Sequence, residues 1–255
     1  MALAAAIFIA RMTTEELDEI LKGARPVVVL LPVGAIEPHG PHLPLDTDLI
    51  ISRVAAAHAA ALLDARGVHG LVAPDVAYGV TDCARDFAGA AGVDAVSFSA
   101  YLRGVVAGWL GTGASHVSVV NNHLEPAHDA AVRAAAAAFP PARVSVASPL
   151  SRRWGRTLSD EFKRGACHAG EYETSIVLAA NPEAVREAIR VSLPDVEVSL
   201  SDRLAAGIDT FRAMGLDRAY AGAPARAHAA HGVEMIERLG EMVATEVLEA
   251  IGAGR

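Results

Sequence analysis

A short apolar run that ends in a cluster of ionisable side chains constrains this chain more than any other feature. Residues 27–31 have the length and β-branched content of a buried strand, and a proline and a glycine follow. The next stretch reads GAIEPHGPHLPLDTD, and its ionisable residues are Glu37, His39, His42, Asp46 and Asp48. Pro38 favours extended backbone at Glu37, and alternate residues of an extended segment face the same side. Glu37 and His39 therefore converge, which predicts half of a metal site.

A second pair of this kind follows a second predicted strand, residues 116–120. His123 and Glu125 form an H-x-E pair directly after it. Together with Asp48, the two pairs supply two imidazoles and three carboxylates, a ligand set typical of two Zn²⁺, Mn²⁺ or Fe²⁺ ions rather than of calcium or a thiolate zinc site. Two divalent cations exceed three carboxylates by one positive charge, which a bridging hydroxide would neutralise.

The remaining periodicity predicts an α/β fold. Further short strands are expected at 71–73 and 144–147, and helices at 48–66, 97–110, 126–138, 172–180, 182–190 and 224–251. Strands that alternate with helices at this spacing favour a largely parallel sheet covered by helices on both faces, within a single domain over 1–255. Ligands of such sheets bind beyond the carboxyl ends of the strands, where both ionisable pairs lie.

Composition narrows the class of partner. The net charge is −8 and no basic cluster occurs, so we expect a small-molecule substrate and no nucleic acid. Two cysteines, Cys83 and Cys167, allow at most one disulfide, which favours a reducing, cytoplasmic location. The sequence contains neither a G-x-S-x-G elbow nor a Walker lysine motif, and Cys167 and His168, as neighbours in an extended chain, point apart.

The amino-terminal residues carry no predicted signal. Residues 1–10 are apolar but far shorter than the roughly 20 residues of a membrane span, and no positive charge precedes them. Thr13 to Glu16 resembles a capping box that opens a helix to about Lys22. Met12 is therefore a candidate natural start, with residues 1–11 as an extension.

Four segments carry a resemblance to a known family. GAIEPHGPHLPLDTD, NNHLEP and HAGEYETS resemble, in this order, the three signature segments of the creatininase (creatinine amidohydrolase) family, and AGAPARAHAAHG resembles its last conserved block. The resemblance implies a three-layer α/β/α sandwich, two metal ions, hydrolysis of a C–N bond in a cyclic amide or formamide, and a homo-oligomer, usually a hexamer.

The resemblance also implies roles for individual residues. One ion would be held by Glu37, Asp48 and His123, and the other by His39, Asp48 and Glu125, so that Asp48 bridges them. His168 would donate a proton to the leaving nitrogen. Glu171 is a second catalytic candidate, because it can compete with Glu125 as a ligand or act on the substrate.

The chain departs from the family between residues 78 and 96. It reads YGVTDCARDFAGAAGVDAV there, and the family's Ser-x-Glu-His and Pro-Gly-Thr segments are missing. We expect substrate contacts from Arg85, which suits a carboxylate or phosphate, from His42, and from Trp154 as a lid residue. The altered segment predicts that creatinine is a poor substrate.

The sequence thus predicts a dinuclear metal-dependent amidohydrolase that cleaves a small cyclic amide, lactam or formamide with a metal-bridging hydroxide as nucleophile. Two alternatives stay open. One is hydrolysis or isomerisation of a carbonyl-bearing sugar or cyclitol on the same metal centre, and the other is a non-catalytic relative that binds a small ligand or serves as an accessory protein.

Overall fold

A computed structural model of the protein describes residues 7–252. Four strands form its sheet: β1 (Val27–Val33), β2 (His69–Val72), β3 (His116–Asn121) and β4 (Val144–Ala147). The helices are α1 (Thr14–Lys22), α2 (Thr47–Asp64), α3 (Ala95–Gly111), α4 (Pro126–Ala136), α5 (Arg152–Gly155), α6 (Asp160–Lys163), α7 (Glu171–Ala180), α8 (Glu187–Arg190), α9 (Leu200–Ala205) and α10 (Ala229–Ile251). Short 3₁₀ turns lie at Ile9–Arg11, Pro182–Ala184 and Pro224–Arg226.

All strand pairs are parallel, in the order β2-β1-β3-β4. Every residue of β1 is buried, because the strand is central and both faces of the sheet are covered. Alternate β1 side chains enter two different cores: Val28 and Leu30 pack against α2, α7 and α10, whereas Val29 and Leu31 pack against α1, α3 and α4. The predicted three-layer α/β/α sandwich is confirmed.

Most predicted elements are present within a few residues of their expected ends. The predicted helix 182–190 is wrong in detail, because it is a 3₁₀ turn followed by the single turn of α8. The predicted helix 224–251 begins later than expected: Pro224–Arg226 is a 3₁₀ turn, and α10 starts at Ala229. His228 is its N-cap and accepts a hydrogen bond from the backbone N–H of His231. The short helices α5, α6 and α9 were not predicted, since single turns carry too few residues to show a period.

The expected amino-terminal extension lies partly outside the described residues, at 1–6. Its described part packs on the fold: the Ile7 carbonyl accepts the backbone N–H of Val72 at 2.7 Å, and Ile9 is buried. The capping box is present, with Thr13 and Glu16 exchanging hydrogen bonds at the start of α1. No helix within 7–252 combines the length and the apolar character that crossing a bilayer requires.

Candidate metal centre

The candidate site lies beyond the carboxyl ends of the two central strands. Val33 and Asn121, the last residues of β1 and β3, are register partners, so the segments that follow them start side by side. The first turn of α2 closes in from the other side, and a β-carbon at Gly34 would lie 2.7 Å from that of Asp48. A glycine at position 34 is therefore needed for Asp48 to approach the strand end, where its Oδ2 accepts the N–H of Ala35 at 3.3 Å.

Three buried imidazoles face this point, and each is oriented by a backbone carbonyl. Nδ1 of His39 lies 3.1 Å from the Glu37 carbonyl oxygen, Nε2 of His123 lies 2.7 Å from that of Val80, and Nε2 of His168 lies 2.9 Å from that of Pro38. A carbonyl oxygen can only accept, so these nitrogens carry the hydrogen. The other ring nitrogen of each histidine faces the cluster and is the atom that a metal ion could bind. Metal-binding histidines are held in this way.

Two groups of candidate ligands share one carboxylate. Glu37, Asp48 and His123 form one group, and His39, Asp48 and Glu173 form the other, with the ligand atoms of each group within 4.8 Å of one another. Asp48 presents Oδ2 to His123 at 3.0 Å and Oδ1 to His39 at 3.2 Å. One imidazole and two carboxylates in each group, with Asp48 between them, can hold two cations side by side.

The separations match those of ligands around an ion. Nδ1 of His123 lies 3.3 Å from Oε1 of Glu37, and Nε2 of His39 lies 3.6 Å from Oε2 of Glu173. Two ligands of a tetrahedral zinc ion, each at its usual bond length, are about 3.4 Å apart. Nε2 of His39 is fully buried and has no hydrogen-bond partner in the described part of the chain. A cation would satisfy this nitrogen, and so the residues fit a metal.

The electrostatics also favour a cation here. Burial opposes a charge on His39, but the carboxylates of Asp48, Glu173 and Glu37 raise its pKa to about 10. Burial raises the pKa of Glu173 to about 8, although the charge of His39 opposes this. Burial and the charge of His39 lower the pKa of His168 to about 4, so His168 is neutral. Three carboxylates buried together need positive charge between them.

A buried glutamate outside the cluster fixes the segment that carries His168 and Glu173. The carboxylate of Glu161 accepts the backbone N–H groups of Glu171, Tyr172 and Ala223 at 3.0, 2.8 and 2.7 Å. Two of these groups belong to the first turn of α7, where a carboxylate also faces the positive end of the helix. Glu161 therefore connects the start of α7 to Ala223, in the segment that precedes α10.

We expect Glu161→Ala to lower the free energy of unfolding by about 3 kcal/mol, because one buried and two partly buried N–H groups lose their acceptor at about 1 kcal/mol each. Urea unfolding followed by circular dichroism measures the change. Asp160→Ala is the matched control: Asp160 is the neighbouring acid and forms an exposed ion pair with Lys163, which contributes less than about 1 kcal/mol. Equal losses for the two variants would contradict the assigned role of Glu161.

The cluster forms one end of a cavity of about 780 Å³. Its walls are mainly apolar and include Leu150, Phe162, Leu200, Leu204, Phe211 and Met214. Three basic residues, Arg152, Arg156 and Lys163, also line it. Lys163 pairs with Asp160, whereas neither arginine forms an ion pair or a side-chain hydrogen bond with any residue in 7–252. The cavity thus combines a carboxylate–imidazole centre, apolar walls and two unpaired guanidinium groups.

Residues 10–247 match the creatininase family, described as creatinine amidohydrolase. This chain belongs to the creatininase family. The predicted family is therefore confirmed over most of the sequence.

Curated proteins that are similar in sequence to this chain are named mycofactocin precursor peptide peptidases. The chain is 32% identical to the protein from Mycobacterium ulcerans (strain Agy99) over 191 residues, which are 70% of this chain and 63% of that protein. It is 33% identical to the protein from Mycolicibacterium smegmatis over 168 residues, which are 62% of this chain and 60% of that protein. The matched segments thus span less than two thirds of either relative.

Solved structures show the same fold. A putative creatinine amidohydrolase from Bacteroides fragilis NCTC 9343 superimposes with a TM-score of 0.73 at 24% identity, covering 96% of this chain and 97% of that one. A mutant creatininase of the Zn-Zn type gives a TM-score of 0.70 at 19% identity, covering 95% and 97%. The fold of this creatininase-family chain is therefore shared along nearly its whole length.

The structure separates the two glutamates that the sequence analysis offered as ligands. Glu125 lines the cavity, but its carboxylate accepts the backbone N–H groups of Asp82 and Cys83, each at 3.0 Å, and it joins none of the candidate metal groups in the described chain. Glu171 lies outside the cavity lining, 3.4 Å from His231. Glu173 occupies the place beside His39 and Asp48 instead.

Three residues that we expected to contact the substrate, His42, Arg85 and Trp154, lie outside the lining of the cavity. His42 is fully buried, with Nε2 2.9 Å from the hydroxyl oxygen of Thr174. Arg85 is exposed and pairs with Asp209 at 3.0 Å. Trp154 donates its indole N–H to Glu246 at 2.6 Å and packs on the core beside α10. None of the three lines the cavity.

Glu173 was not identified from the sequence, although a signal was present. It lies three and four residues before Ile176 and Val177, both fully buried, and so occupies the inward face of α7. Glu171 lies two residues earlier and points to another face of the same helix. The signal that could have identified Glu173 is a carboxylate on the buried face of a helix that starts at the site.

Proposed function

We propose that this protein is a dinuclear metal-dependent hydrolase that cleaves an amide C–N bond. The observation that carries the proposal is the set of buried imidazoles that are fixed by backbone carbonyls and converge on a shared carboxylate, Asp48. Membership of the creatininase family and the apolar cavity beside this centre support it. The proposed ligands are Glu37, Asp48 and His123 for one ion, and His39, Asp48 and Glu173 for the other.

Bound divalent cations, Zn²⁺, Mn²⁺ or Fe²⁺, would polarise the amide carbonyl and acidify the attacking water. Other residues of the protein hold the proposed ligands in position. Thr81 donates its hydroxyl to Oε2 of Glu37 at 2.5 Å and so fixes that carboxylate. The N–H of Ala169 donates to Oε2 of Glu173 at 2.6 Å and fixes the other. Ligands held before the ion arrives lose little freedom on binding it.

In this proposal, His168 moves the proton. Its Nε2–H is held by the Pro38 carbonyl, so Nδ1 is the basic atom, and Nδ1 lies 3.7 Å from Oε1 of Glu37 at the edge of the cluster. A neutral imidazole in this place can accept a proton at Nδ1 from the attacking water. The resulting imidazolium can then donate that proton to the leaving nitrogen.

The cavity supports a substrate larger than a small ring. A volume of about 780 Å³ lies within the range of sites that enclose drug-sized ligands. Its apolar walls suit hydrophobic side chains, and the unpaired Arg152 and Arg156 suit a carboxylate. Since curated relatives are named peptide peptidases, we propose a short apolar peptide segment with a free carboxylate as the substrate class. A cyclic amide, lactam or formamide, whose amide bond needs the same chemistry, is the second candidate.

We expect Arg152→Ala and Arg156→Ala to raise KM about tenfold or more for a peptide with a free carboxyl terminus, because a charged hydrogen bond contributes about 1.5–3 kcal/mol. The same peptide with an amidated terminus should be insensitive to either change. Arg85→Ala is the matched control, since Arg85 is an exposed arginine outside the cavity. Equal effects on the free and the amidated peptide would contradict a carboxylate contact.

The function is tested by assaying apolar peptides, lactams, formamides and creatinine with metal-depleted protein to which Zn²⁺ or Mn²⁺ is returned. We expect turnover of peptides, dependence on the added ion, and little turnover of creatinine. The altered segment supports the last expectation: Cys83 lines the cavity, and backbone groups of this segment hold Glu125. Turnover of creatinine at a typical enzyme rate of about 10 per second would reject it. A metal-loaded protein inactive on every compound would support the non-catalytic alternative.

A further inference from the structure

A second cluster of metal-ligating side chains lies outside the cavity, where the starts of α7 and α10 meet. Glu171 is the first residue of α7, His228 is the N-cap of α10, and His231 follows in its first turn. The two helices pack closely because Gly232 has no side chain: a β-carbon there would lie 1.8 Å from the carbonyl oxygen of Ser175. Ligand atoms of Glu171, His228 and His231 lie within 4.8 Å of one another.

The contact between Glu171 and His231 has the spacing of two metal ligands. Oε1 of Glu171 and Nδ1 of His231 are 3.4 Å apart, and this nitrogen is buried and has no hydrogen-bond partner within residues 7–252. A hydrogen bond between these atoms would be about 2.9 Å long. Two ligands of one tetrahedral zinc ion are instead about 3.4 Å apart. The pair is therefore too far apart for a good hydrogen bond and suitably placed for an ion between its atoms.

His228 is held in place by the helix it caps. Its Nδ1 accepts the backbone N–H of His231 at 3.1 Å, which fixes the ring at the start of α10, and its Nε2 takes no part in that bond. The site is open to solvent: His228 is exposed, and the side chains of His231 and Glu171 are 16% and 28% exposed. An ion here can enter from solvent, and water can complete its coordination.

We propose that Glu171, His228 and His231 form a further metal site, separate from the centre at Asp48. Two imidazoles and one carboxylate are a known zinc ligand set, and the imidazoles favour Zn²⁺ over Mg²⁺ or Ca²⁺. The ion joins the first turns of α7 and α10. Because Glu173 lies in that same turn of α7, the ion stabilises the helix that carries a proposed ligand of the main centre. The proposal does not depend on the enzymatic activity.

The test is a Zn²⁺ titration of metal-depleted full-length protein, with bound ions counted by elemental analysis after removal of free metal. Wild-type protein is expected to bind one more ion per chain than His228→Ala or His231→Ala. In an Asp48→Asn background one ion should remain, and Asp48→Asn combined with His231→Ala should bind none. His69→Ala, which removes a partly buried histidine at the start of β2, is the control and should bind as many ions as wild type.

Equal zinc content in wild type, His228→Ala and His231→Ala would overturn the proposal. Circular dichroism checks that each variant is folded, and His231→Gln replaces His231→Ala if the alanine variant unfolds. Zn²⁺ should also raise the melting temperature of Asp48→Asn but not that of Asp48→Asn with His231→Gln. A failure of the main centre would instead leave every protein with one ion or none, so the two outcomes are distinguishable.

Discussion

Asp48→Asn is expected to remove both ions from the main centre and to lower kcat/KM by at least about 10³-fold, since the metal's contribution to the barrier is several kcal/mol and each 1.36 kcal/mol is tenfold. The reason is geometric. Oδ1 of Asp48 faces His39 and Oδ2 faces His123, so one side chain serves both groups. Elemental analysis and peptide turnover measure the two effects.

Substitutions of a ligand that belongs to only one of the two groups test each ion separately. Glu37→Gln should weaken one ion and Glu173→Gln the other, whereas Glu125→Gln should keep both, because Glu125 is bound by backbone N–H groups. Asp46→Ala is the matched control for Asp48: Asp46 precedes the same helix, makes no capping hydrogen bond and belongs to neither group. Asp48→Asn protein that is folded and keeps its full metal content would reject the shared-carboxylate arrangement.

His168→Ala is expected to lower kcat by about 10²- to 10⁴-fold, the usual contribution of a general acid–base group. Metal content should stay near that of wild type, because the two groups that share Asp48 do not include His168. Added imidazole should restore part of the activity, since the lost side chain lines the open cavity. Steady-state kinetics with and without imidazole, together with elemental analysis, measure these effects.

Two results would reassign His168. It also groups with Glu37 and His39 within 4.8 Å, so loss of an ion from His168→Ala would make it a ligand. Cys167→Ala is the control, because Cys167 is the neighbouring residue and also lines the cavity. Burial raises the pKa of its thiol, so it holds no thiolate for nucleophilic attack. A comparable loss of activity in Cys167→Ala would indicate a packing effect rather than proton transfer.

The sequence predicted which segments form the site, because their conformation depends on patterns of neighbouring residues. The strand at 27–33 is apolar throughout and the extended segment after it alternates, which placed Glu37 and His39 on one side. The H-x-E pair after β3 reached the same edge, because parallel neighbours end together. The positions of Asp48 in the first turn of α2 and of His123 beyond β3 follow from the same local patterns.

Tertiary structure decided which glutamate completes the site and what surrounds it. Spacing cannot distinguish Glu125, Glu171 and Glu173, because the choice depends on contacts between distant segments. The backbone of residues 82–83 turns Glu125 away, the start of α10 faces Glu171, and only Glu173 meets His39.

Contacts between distant segments also decide which residues line the cavity. Arg152 and Arg156 come to the cavity through the packing of short helices without a readable period, whereas the exposed Arg85 pairs with Asp209, far along the chain. The sequence by itself determined the sheet, its helices and the side chains that begin at the strand ends, since these depend on neighbours in the chain. The position of Glu173, the last proposed ligand, and the charge of the cavity depend on which distant segments pack together, and only the folded structure specifies that packing.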